Sequence, residues 1–337
     1  MKLNKDKICI IAEAGVNHNG NVLLAKKLVE IAKNSGANYI KFQYFNPEFL
    51  STYFSKQAIY QKRSFKQKNN SQKEMLKKLS LSFEQLKIID SYCKKKKIKL
   101  ALSVFDHISL KKLIKFNLDF IKIPSGEITN FPLLKEVAKL KKKIILSTGM
   151  CNIKEIQSAL NVLKKFKLPM KKVTLMHCTT SYPTSDEEVN ISAIIQMKKK
   201  FNLEVGYSDH SIGNEASCAA AILGSRIFEK HFTISKKMKG PDHLASLEPN
   251  ELRNYITSIK RTVKIIGNGK KNRTSKEQKN LKIVRKSIYA LKNIKKGELI
   301  TENNIITKRP FNKNNPMKWE KIIGKKSKKN YVIDEEI

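Results

Sequence analysis

The chain has 337 residues, 40% of them hydrophobic, so it is long enough for one large domain with a buried core and a second, small domain. Its formal net charge of +39 raises the question of nucleic-acid binding, because clustered cations neutralise phosphates. Only seven of the 68 basic residues are arginines, and the lysines are spread along the whole chain, which favours a compositional bias on solvated surfaces over a nucleic-acid footprint.

Two further classes of protein are disfavoured. No stretch approaches the roughly 20 apolar residues that a membrane-spanning helix needs, and the first apolar run, at 8–12, is typical of a buried strand rather than a signal peptide. The five cysteines are scattered singly without a CxxC pair, which indicates reduced thiols rather than a disulfide framework. We therefore expect a soluble, cytoplasmic protein with no membrane partner.

Short β-branched segments alternate with longer amphipathic ones as far as residue 266, a pattern typical of parallel strands joined by helices. The predicted strands are 8–12, 39–43, 100–104, 120–123, 144–147, 173–177, 204–208 and 226–231. The predicted helices include 23–34, 83–95, 154–165, 192–201 and 249–266. Eight strand-helix units in about 265 residues predict an α/β fold, the TIM (β/α)8 barrel.

The composition changes after Ile266. The segment 267–283 is a polar run that buries too little apolar surface to fold alone, so we expect a linker. From 284 to 337, short alternating segments and turn signals predict a small β-rich domain. The predicted division is thus a catalytic barrel over 1–266, a polar linker over 267–283 and the small domain over 284–337.

Every predicted strand ends in polar residues. The carboxyl ends of the strands of a TIM barrel form one mouth, where reactive groups gather. In chain order these residues are Glu13 with 17–20, Lys41 and Gln43, Ser103, Lys122 with Ser125 and Glu127, 147–149, 177–182, 208–210 and 229–231. Any one alone is more often a packing or surface residue, but charges that follow apolar strands are buried at a cost unless they meet a partner. The eight together predict a functional site.

His210 and His231 end the adjacent seventh and eighth predicted strands, which places two imidazoles at one rim. Two histidines completed by carboxylate or water oxygens suit Mn²⁺, Mg²⁺ or Zn²⁺. On spacing alone, the two histidines are as often packing residues as metal ligands, so both interpretations are kept.

Two lysines, Lys41 and Lys122, lie among the strand-end hydroxyls of Ser103, Ser125, Ser147 and Ser208. Lysines supply point charge and hydroxyls supply directional donors, so the set predicts a cradle for a small dianion such as a phosphate. The alternative for Lys122 is a Schiff-base nucleophile, which needs a desolvated amine.

These residues belong to motifs that resemble the sialic acid synthase family, the phosphoenolpyruvate-dependent synthases of N-acetylneuraminic, legionaminic and pseudaminic acids. The motifs are IAEAGVNHNG at 11–20, IKFQ at 40–43, KIPSGE at 122–127, LSTGM at 146–150, HCTTSYPT at 177–184, GYSDH at 206–210, EKHFT at 229–233 and GPDHLASLEP at 240–249. The tail IKKGELITENNIITKRP, at 294–310, resembles the family's antifreeze-like (SAF) domain.

The resemblance implies an enzyme of the transferase class in which Mn²⁺ or Mg²⁺, held by His210 and His231, polarises the aldehyde of an amino sugar. The C3 carbon of phosphoenolpyruvate attacks that aldehyde, water adds at C2, and phosphate leaves by C–O cleavage. The implied base or electrostatic partner is Glu127. Glu13 and Asp242 match acids that hold the sugar. The implied donor contacts are Lys41, Lys122, Ser125, Ser147 and Ser208, with Gln43 and Tyr182 lining the same pocket.

The resemblance also implies a domain-exchanged homodimer, in which the antifreeze-like domain of one subunit closes over the partner's barrel. The arginine that reaches the N-acetyl group of the sugar is Arg309, before Pro310. Two departures bear on this transfer. The third predicted strand ends in the residues LSVF at 102–105, where the family usually has a Ser-Thr-Pro-Phe type sequence, so one hydroxyl is retained and the proline is lost. The run 311–315 stands where the family usually has glycines.

The acceptor sugar is the open choice. The motif forms favour 2,4-diacetamido-2,4,6-trideoxymannose, and hence N,N'-diacetyllegionaminate, over N-acetylmannosamine and N-acetylneuraminate, with a pseudaminate synthase as a further alternative. Two interpretations from other classes stay open, a Schiff-base sialate aldolase and a nucleic-acid-binding protein.

Overall fold

The computed structural model describes residues 8–57 and 71–337. Eight parallel strands close into a barrel in chain order, which confirms the predicted α/β TIM-barrel fold. The strands are β1 Cys9–Gly15, β2 Tyr39–Tyr44, β3 Lys99–Val104, β4 Ile121–Ile123, β5 Ile144–Ser147, β6 Val173–His177, β7 Glu204–Asp209 and β8 Ile227–His231.

Helices follow the strands and cover the barrel. They are α1 Val22–Asn34, α2 Pro47–Leu50, α3 Gln72–Leu79, α4 Phe83–Lys96, α5 His107–Leu113, α6 Phe131–Lys139, α7 Ile153–Lys165, α8 Asp186–Val189, α9 Ala193–Phe201, α10 Glu215–Ile222 and α11 Pro249–Ile266. Several begin at caps that the sequence encodes, such as the capping boxes of Ser82 with Gln85 and Asn152 with Glu155.

Alternation along the strands divides the core into two layers. Residues such as Ile40, Leu102 and Leu146 pack outward against the helices. Their neighbours along the strands point inward, where a separate apolar cluster fills the amino-terminal half of the barrel. It consists of Ile11, Ala101, Phe120, Ile145, Met176 and Ile227. Inside the barrel, apolar side chains therefore fill the half at the amino-terminal ends of the strands, and polar side chains fill the half at the carboxyl ends.

Strand β1 is longer than the predicted segment 8–12. Its pairing with β2 shifts between Glu13 and Gly15, so one residue is bulged there. Gly15 has a φ of +54°, a conformation that glycine adopts without strain. The bulge lies directly after Glu13, at the mouth of the barrel.

The chain divides into two compact units, Met1–Gly267 and Asn268–Ile337. The second unit contains helix α12 Ser275–Val284 and an antiparallel pair, β9 Ser287–Ala290 and β10 Ile305–Lys308, with the short helix α13 Trp319–Ile322. Its core is a cluster of aliphatic residues that includes Ile288, Ile294 and Ile305. Helix α12 lies largely in the segment 267–283 that we expected to be a linker, and none of its residues is buried.

Within residues 8–57 and 71–337, no helix has both the length and the apolar character needed to cross a membrane. All five cysteines lie in the described part of the chain and are free thiols, as the sequence predicts.

Candidate active site

A layer of polar side chains closes the barrel above its apolar cluster. These residues occupy the inward-facing positions nearest the carboxyl ends of the strands, and each is at most 5% exposed. They are Glu13, Lys41, Ser103, Lys122, Ser147, Ser208 and Glu229. Burying a charged group without a partner costs several kcal/mol, so the pairing of these charges decides whether the arrangement is stable.

One ion pair joins β1 to β2. Lys41 Nζ lies 2.8 Å from Glu13 Oε1 and donates to Ser103 Oγ at 2.8 Å. Glu13 Oε1 also accepts a long hydrogen bond of 3.5 Å from Gln43. The other carboxylate oxygen, Glu13 Oε2, is buried and has no hydrogen-bond partner among the described residues. Glu13 therefore has a free acceptor at the mouth.

A second ion pair joins β4 to β8. Lys122 Nζ lies 2.7 Å from both carboxylate oxygens of Glu229. Ser208 donates to Glu229 Oε1 at 3.2 Å, and Lys41 Nζ lies 3.7 Å from the same oxygen. Glu229 thus connects the two lysines and one of the serines that the sequence predicted as an anion cradle.

Glu229 was not among the predicted site residues, although its strand tip was recognised as polar. A signal was present in the sequence. Glu229 stands two positions before His231, and residues two apart on a strand share a face. If the side chain of His231 faces the inside of the barrel, the side chain of Glu229 must face the inside as well.

The electrostatics of the cluster follow from burial and proximity. Burial alone would raise the pKa of Glu229, but Lys122 and Lys41 hold it well below its ordinary value. Burial raises the pKa of Glu13, and Lys41 offsets only part of that effect. The pKa of Lys41 is raised because its two glutamates outweigh burial, whereas burial lowers the pKa of Lys122 against the pull of Glu229.

The two histidines lie close together at the rim of the barrel. The ring centres of His210 and His231 are 5.8 Å apart, and the Tyr182 ring lies 4.2 Å from His210 and 5.7 Å from His231. His210 Nδ1 lies 2.6 Å from the carbonyl oxygen of Thr179, so Nδ1 carries the proton and Nε2 presents a lone pair. His231 Nδ1 is buried and has no hydrogen-bond partner among the described residues.

This pair fits a divalent cation. Burial lowers the pKa of His210 to about 4 and that of His231 well below its ordinary value, so both rings are neutral and able to act as ligands. A ring nitrogen bound to a backbone carbonyl is the usual way to orient a metal-ligating histidine. The part of the chain that the structure describes contains no group of three or more potential side-chain ligands. Any cation would therefore take its remaining ligands from water or substrate, as catalytic sites do.

Comparison with known proteins decides the family. The model of the NeuB family matches residues 28–271, and the SAF domain model matches residues 285–335. The chain belongs to the NeuB family. Both matches confirm the resemblance found in the sequence, including the small carboxyl-terminal SAF domain.

Three relatives of this NeuB chain resemble it over most of their length. It is 49% identical to an N,N'-diacetyllegionaminic acid synthase of Campylobacter jejuni, over 98% of both chains. It is 39% identical to that of Legionella pneumophila, over 94% of this chain and 89% of the relative. A pseudaminic acid synthase of Campylobacter jejuni is 32% identical, over 96% of this chain and 93% of the relative. Among solved structures, an N-acetylneuraminic acid synthetase of Leptospira borgpetersenii in complex with citrate has a TM-score of 0.71 at 33% identity, covering 82% of this chain and 91% of that one.

Three of the predicted residues of this NeuB chain lie around the bulge at Gly15. A Cβ atom there would lie 3.4 Å from His231 Cε1, 3.5 Å from Asp242 Oδ2 and 3.5 Å from Gln43 Nε2. The loop after β8 therefore brings Asp242 to the rim beside His231. Burial, together with the charge of Glu13, raises the pKa of Asp242 to about 7.

The remaining barrel residues of the prediction, Ser125 and Glu127, lie in the turn after β4. Ser125 Oγ accepts from the backbone N–H of Gly149 at 3.0 Å and touches Cys178 Sγ at 3.3 Å. Glu127, two residues along the same turn, accepts from Asn130 at 2.6 Å, and burial raises its pKa. The carboxylate of Glu127 is thus bound by Asn130 rather than by Lys41 or Lys122.

Arg309 belongs to the second unit, where it is exposed and precedes a cis proline. It lies one residue beyond β10, which ends at Lys308.

Proposed function

We propose that this NeuB chain is a nonulosonate synthase that joins phosphoenolpyruvate to 2,4-diacetamido-2,4,6-trideoxymannose, giving N,N'-diacetyllegionaminate and phosphate. The observation that carries the proposal is the buried cluster of two lysines beside two neutral imidazoles at one barrel mouth. The choice of sugar rests on identities of 49% and 39% to legionaminic acid synthases against 32% to a pseudaminic acid synthase.

Lys41 and Lys122 bind the anionic donor. Both ammonium groups are buried, and both are held by glutamates, so little reorganisation is needed when an anion enters between them. Hydroxyl groups around them supply directional donors to the phosphate and carboxylate of phosphoenolpyruvate. These are Ser103, Ser125, Ser147 and Ser208.

His210 and His231 are the residues that would hold Mn²⁺ or Mg²⁺. When bound, the cation polarises the acceptor aldehyde as a Lewis acid. The residues themselves supply the orientation, because His210 is fixed through Thr179 and the Tyr182 ring lies against both imidazoles.

The reaction forms a bond between C3 of the donor and the aldehyde carbon, which leaves a cation-like centre at C2. Water adds at C2, and Glu127 accepts the first of its two protons and returns it to the former aldehyde oxygen, which becomes a hydroxyl. The second proton leaves with the phosphate, which departs with the bridging oxygen as C2 becomes a ketone. Glu127 suits this role because its half-buried carboxyl group has a raised pKa, which makes it a better proton acceptor than an ordinary glutamate.

The acceptor sugar is bound by groups on the other side of the mouth. Glu13 has an unused buried oxygen, and Asp242 and Gln43 face the space beside Gly15. Arg309 of a partner subunit completes the acetamido contact, which makes the enzyme a domain-exchanged homodimer. Because the donor is an intracellular metabolite, the reaction takes place in the cytoplasm.

One observation favours a second candidate, a Schiff-base aldolase. Burial lowers the pKa of Lys122, which is the direction that a nucleophilic amine requires. Against this, both oxygens of Glu229 lie at 2.7 Å from its nitrogen, a geometry that stabilises the ammonium form.

The test is a product assay. Purified protein is incubated with phosphoenolpyruvate and Mn²⁺, and the candidate acceptors, first 2,4-diacetamido-2,4,6-trideoxymannose and then N-acetylmannosamine, are offered in turn. We expect phosphate release and a product mass equal to acceptor plus pyruvate, fastest with the first sugar and abolished by EDTA. Condensation with pyruvate in place of phosphoenolpyruvate that survives EDTA, together with borohydride trapping of pyruvate on Lys122, would instead establish the aldolase.

A further inference from the structure

A buried ion pair lies directly behind the two histidines. Asp209 at the end of β7 and Lys230 in β8 are register partners, and Lys230 Nζ lies 3.0 Å from Asp209 Oδ1. Each precedes one of the histidines, His210 and His231. Because side chains alternate, Asp209 and Lys230 point to the outside of the barrel, away from the inward-facing Glu229. The pair therefore joins the two strand tips from behind.

The carboxylate of Asp209 holds the turn around His210. Its Oδ1 accepts from the backbone N–H of Ser211 at 2.9 Å and from the hydroxyl of Ser211 at 2.7 Å. Its Oδ2 accepts from Ser217 at 2.7 Å, and that hydroxyl contacts the Tyr255 hydroxyl at 2.6 Å. The residues on both sides of His210 are thereby fixed to each other and to the helices behind them.

The ammonium group of Lys230 connects the turn around His210 to β8. It donates to the backbone carbonyl of Ser211 at 2.5 Å and lies 5.6 Å from the centre of the Tyr255 ring. The carbonyl of His210 itself accepts from the backbone N–H of Thr184 at 2.8 Å. A residue adjacent to His231 thus holds the turn that carries His210.

We propose that Asp209 and Lys230 are positioning residues that fix the spacing of His210 and His231 and so set the affinity of the site for a divalent cation. The inference rests on the proposed metal-binding role of the two histidines. A buried ion pair that served stability alone could be replaced by neutral residues at little cost. Groups that orient metal-ligating histidines cost about 10- to 100-fold in metal affinity when they are removed.

The test measures Mn²⁺ affinity by titration with electron paramagnetic resonance, using the full-length chain. The variants are Asp209→Asn, Lys230→Met, the double variant, and Ser225→Ala as the matched control. Ser225 is buried and donates to the carbonyl of Val205 at 2.8 Å, so it also joins β7 to the start of β8, but at the other end of the barrel. Thermal unfolding of each variant is measured in parallel.

We expect Mn²⁺ binding to weaken by about 10- to 100-fold in both single variants and in the double variant, and to stay unchanged in Ser225→Ala. The double variant leaves no uncompensated buried charge, so its thermal stability should recover while its Mn²⁺ affinity does not. It also carries the test if either single variant fails to fold. Wild-type Mn²⁺ affinity in the double variant would overturn the inference. Absence of Mn²⁺ binding by the wild-type chain would instead overturn the metal role on which the inference rests.

Discussion

Lys122 and Glu229 face each other across the barrel mouth, with the lysine nitrogen 2.7 Å from both carboxylate oxygens. The same glutamate lies 3.7 Å from Lys41, so one carboxylate serves two ammonium groups. If the proposed function is right, the donor meets two lysines whose positions Glu229 already fixes, and its phosphate would share their N–H groups with Glu229.

Glu229→Gln should damage both stability and donor binding. The substitution leaves two buried ammonium groups with one carboxylate fewer, which costs about 3–5 kcal/mol of unfolding free energy. Misplacement of Lys122 should lower kcat/KM for phosphoenolpyruvate on the order of 100-fold. Urea unfolding and steady-state kinetics measure the two effects. Glu84→Gln, at a surface-exposed pair with Lys87, is the matched control and should do neither. Equal behaviour of the two variants would rule out the proposed role of Glu229.

Glu127→Gln should stop catalysis while substrates still bind. The loss of a general base lowers kcat on the order of 10²- to 10⁴-fold, with KM values little changed. The wild-type rate should rise with pH as Glu127 ionises, over a range above that of an ordinary glutamate because burial raises its pKa. That acidic limb should be absent from the residual activity of the variant. A variant with the wild-type kcat would remove Glu127 from the mechanism.

Asp242→Asn should change how stability depends on pH. The pKa of Asp242 is about 7 in the folded chain against an ordinary value of 3.8, so the folded state keeps a proton that the unfolded state releases. The free energy of unfolding of the wild-type chain should therefore fall as pH rises from about 4 to 7. An asparagine side chain does not titrate, so the variant should lack this fall. In EDTA we expect the two proteins to be alike at pH 4 and the variant to be more stable at pH 8, by about 1–2 kcal/mol after allowance for solvent screening at this half-buried group. Parallel unfolding curves at both pH values would contradict the assignment.

Arg309→Ala should raise the KM for the acceptor sugar, because the side chain is proposed to reach the acetamido group. A lost charge-assisted hydrogen bond of about 1.5–3 kcal/mol corresponds to roughly a 10- to 100-fold increase. The KM for phosphoenolpyruvate should not change. Arg285→Ala, also in the second unit, serves as the control. An unchanged KM for the sugar in the Arg309→Ala variant would show that Arg309 of the SAF domain does not take part in the site.

The sequence was sufficient to predict the barrel, because strand and helix periodicities differ. Polar residues also mark the strand ends that form its mouth. It was less informative about partners. The pairing of the buried charges depends on the register of the barrel strands. Glu229, for example, contacts both Lys41 and Lys122, and these three residues lie on three different strands. Alternation on β8 could still have separated the inward Glu229 from the outward Lys230.

Helix α12 was missed for a local reason. The polar composition of 267–283 suggested a linker, yet Thr274 and Glu277 form a capping box at the start of that helix. The cap signal was present, but the segment lacks the apolar stripe that usually marks a helix, and no residue of α12 is buried.

The proposed function requires the two imidazoles and the two lysines to meet around a cation and a phosphorylated donor. Crystals grown with Mn²⁺ and phosphoenolpyruvate, measured at a wavelength where manganese scatters anomalously, would test this. We predict one strong anomalous peak bound by His210 and His231, with the donor phosphate within reach of Lys41 and Lys122. Donor density elsewhere, or imidazoles with no anomalous peak between them, would contradict it.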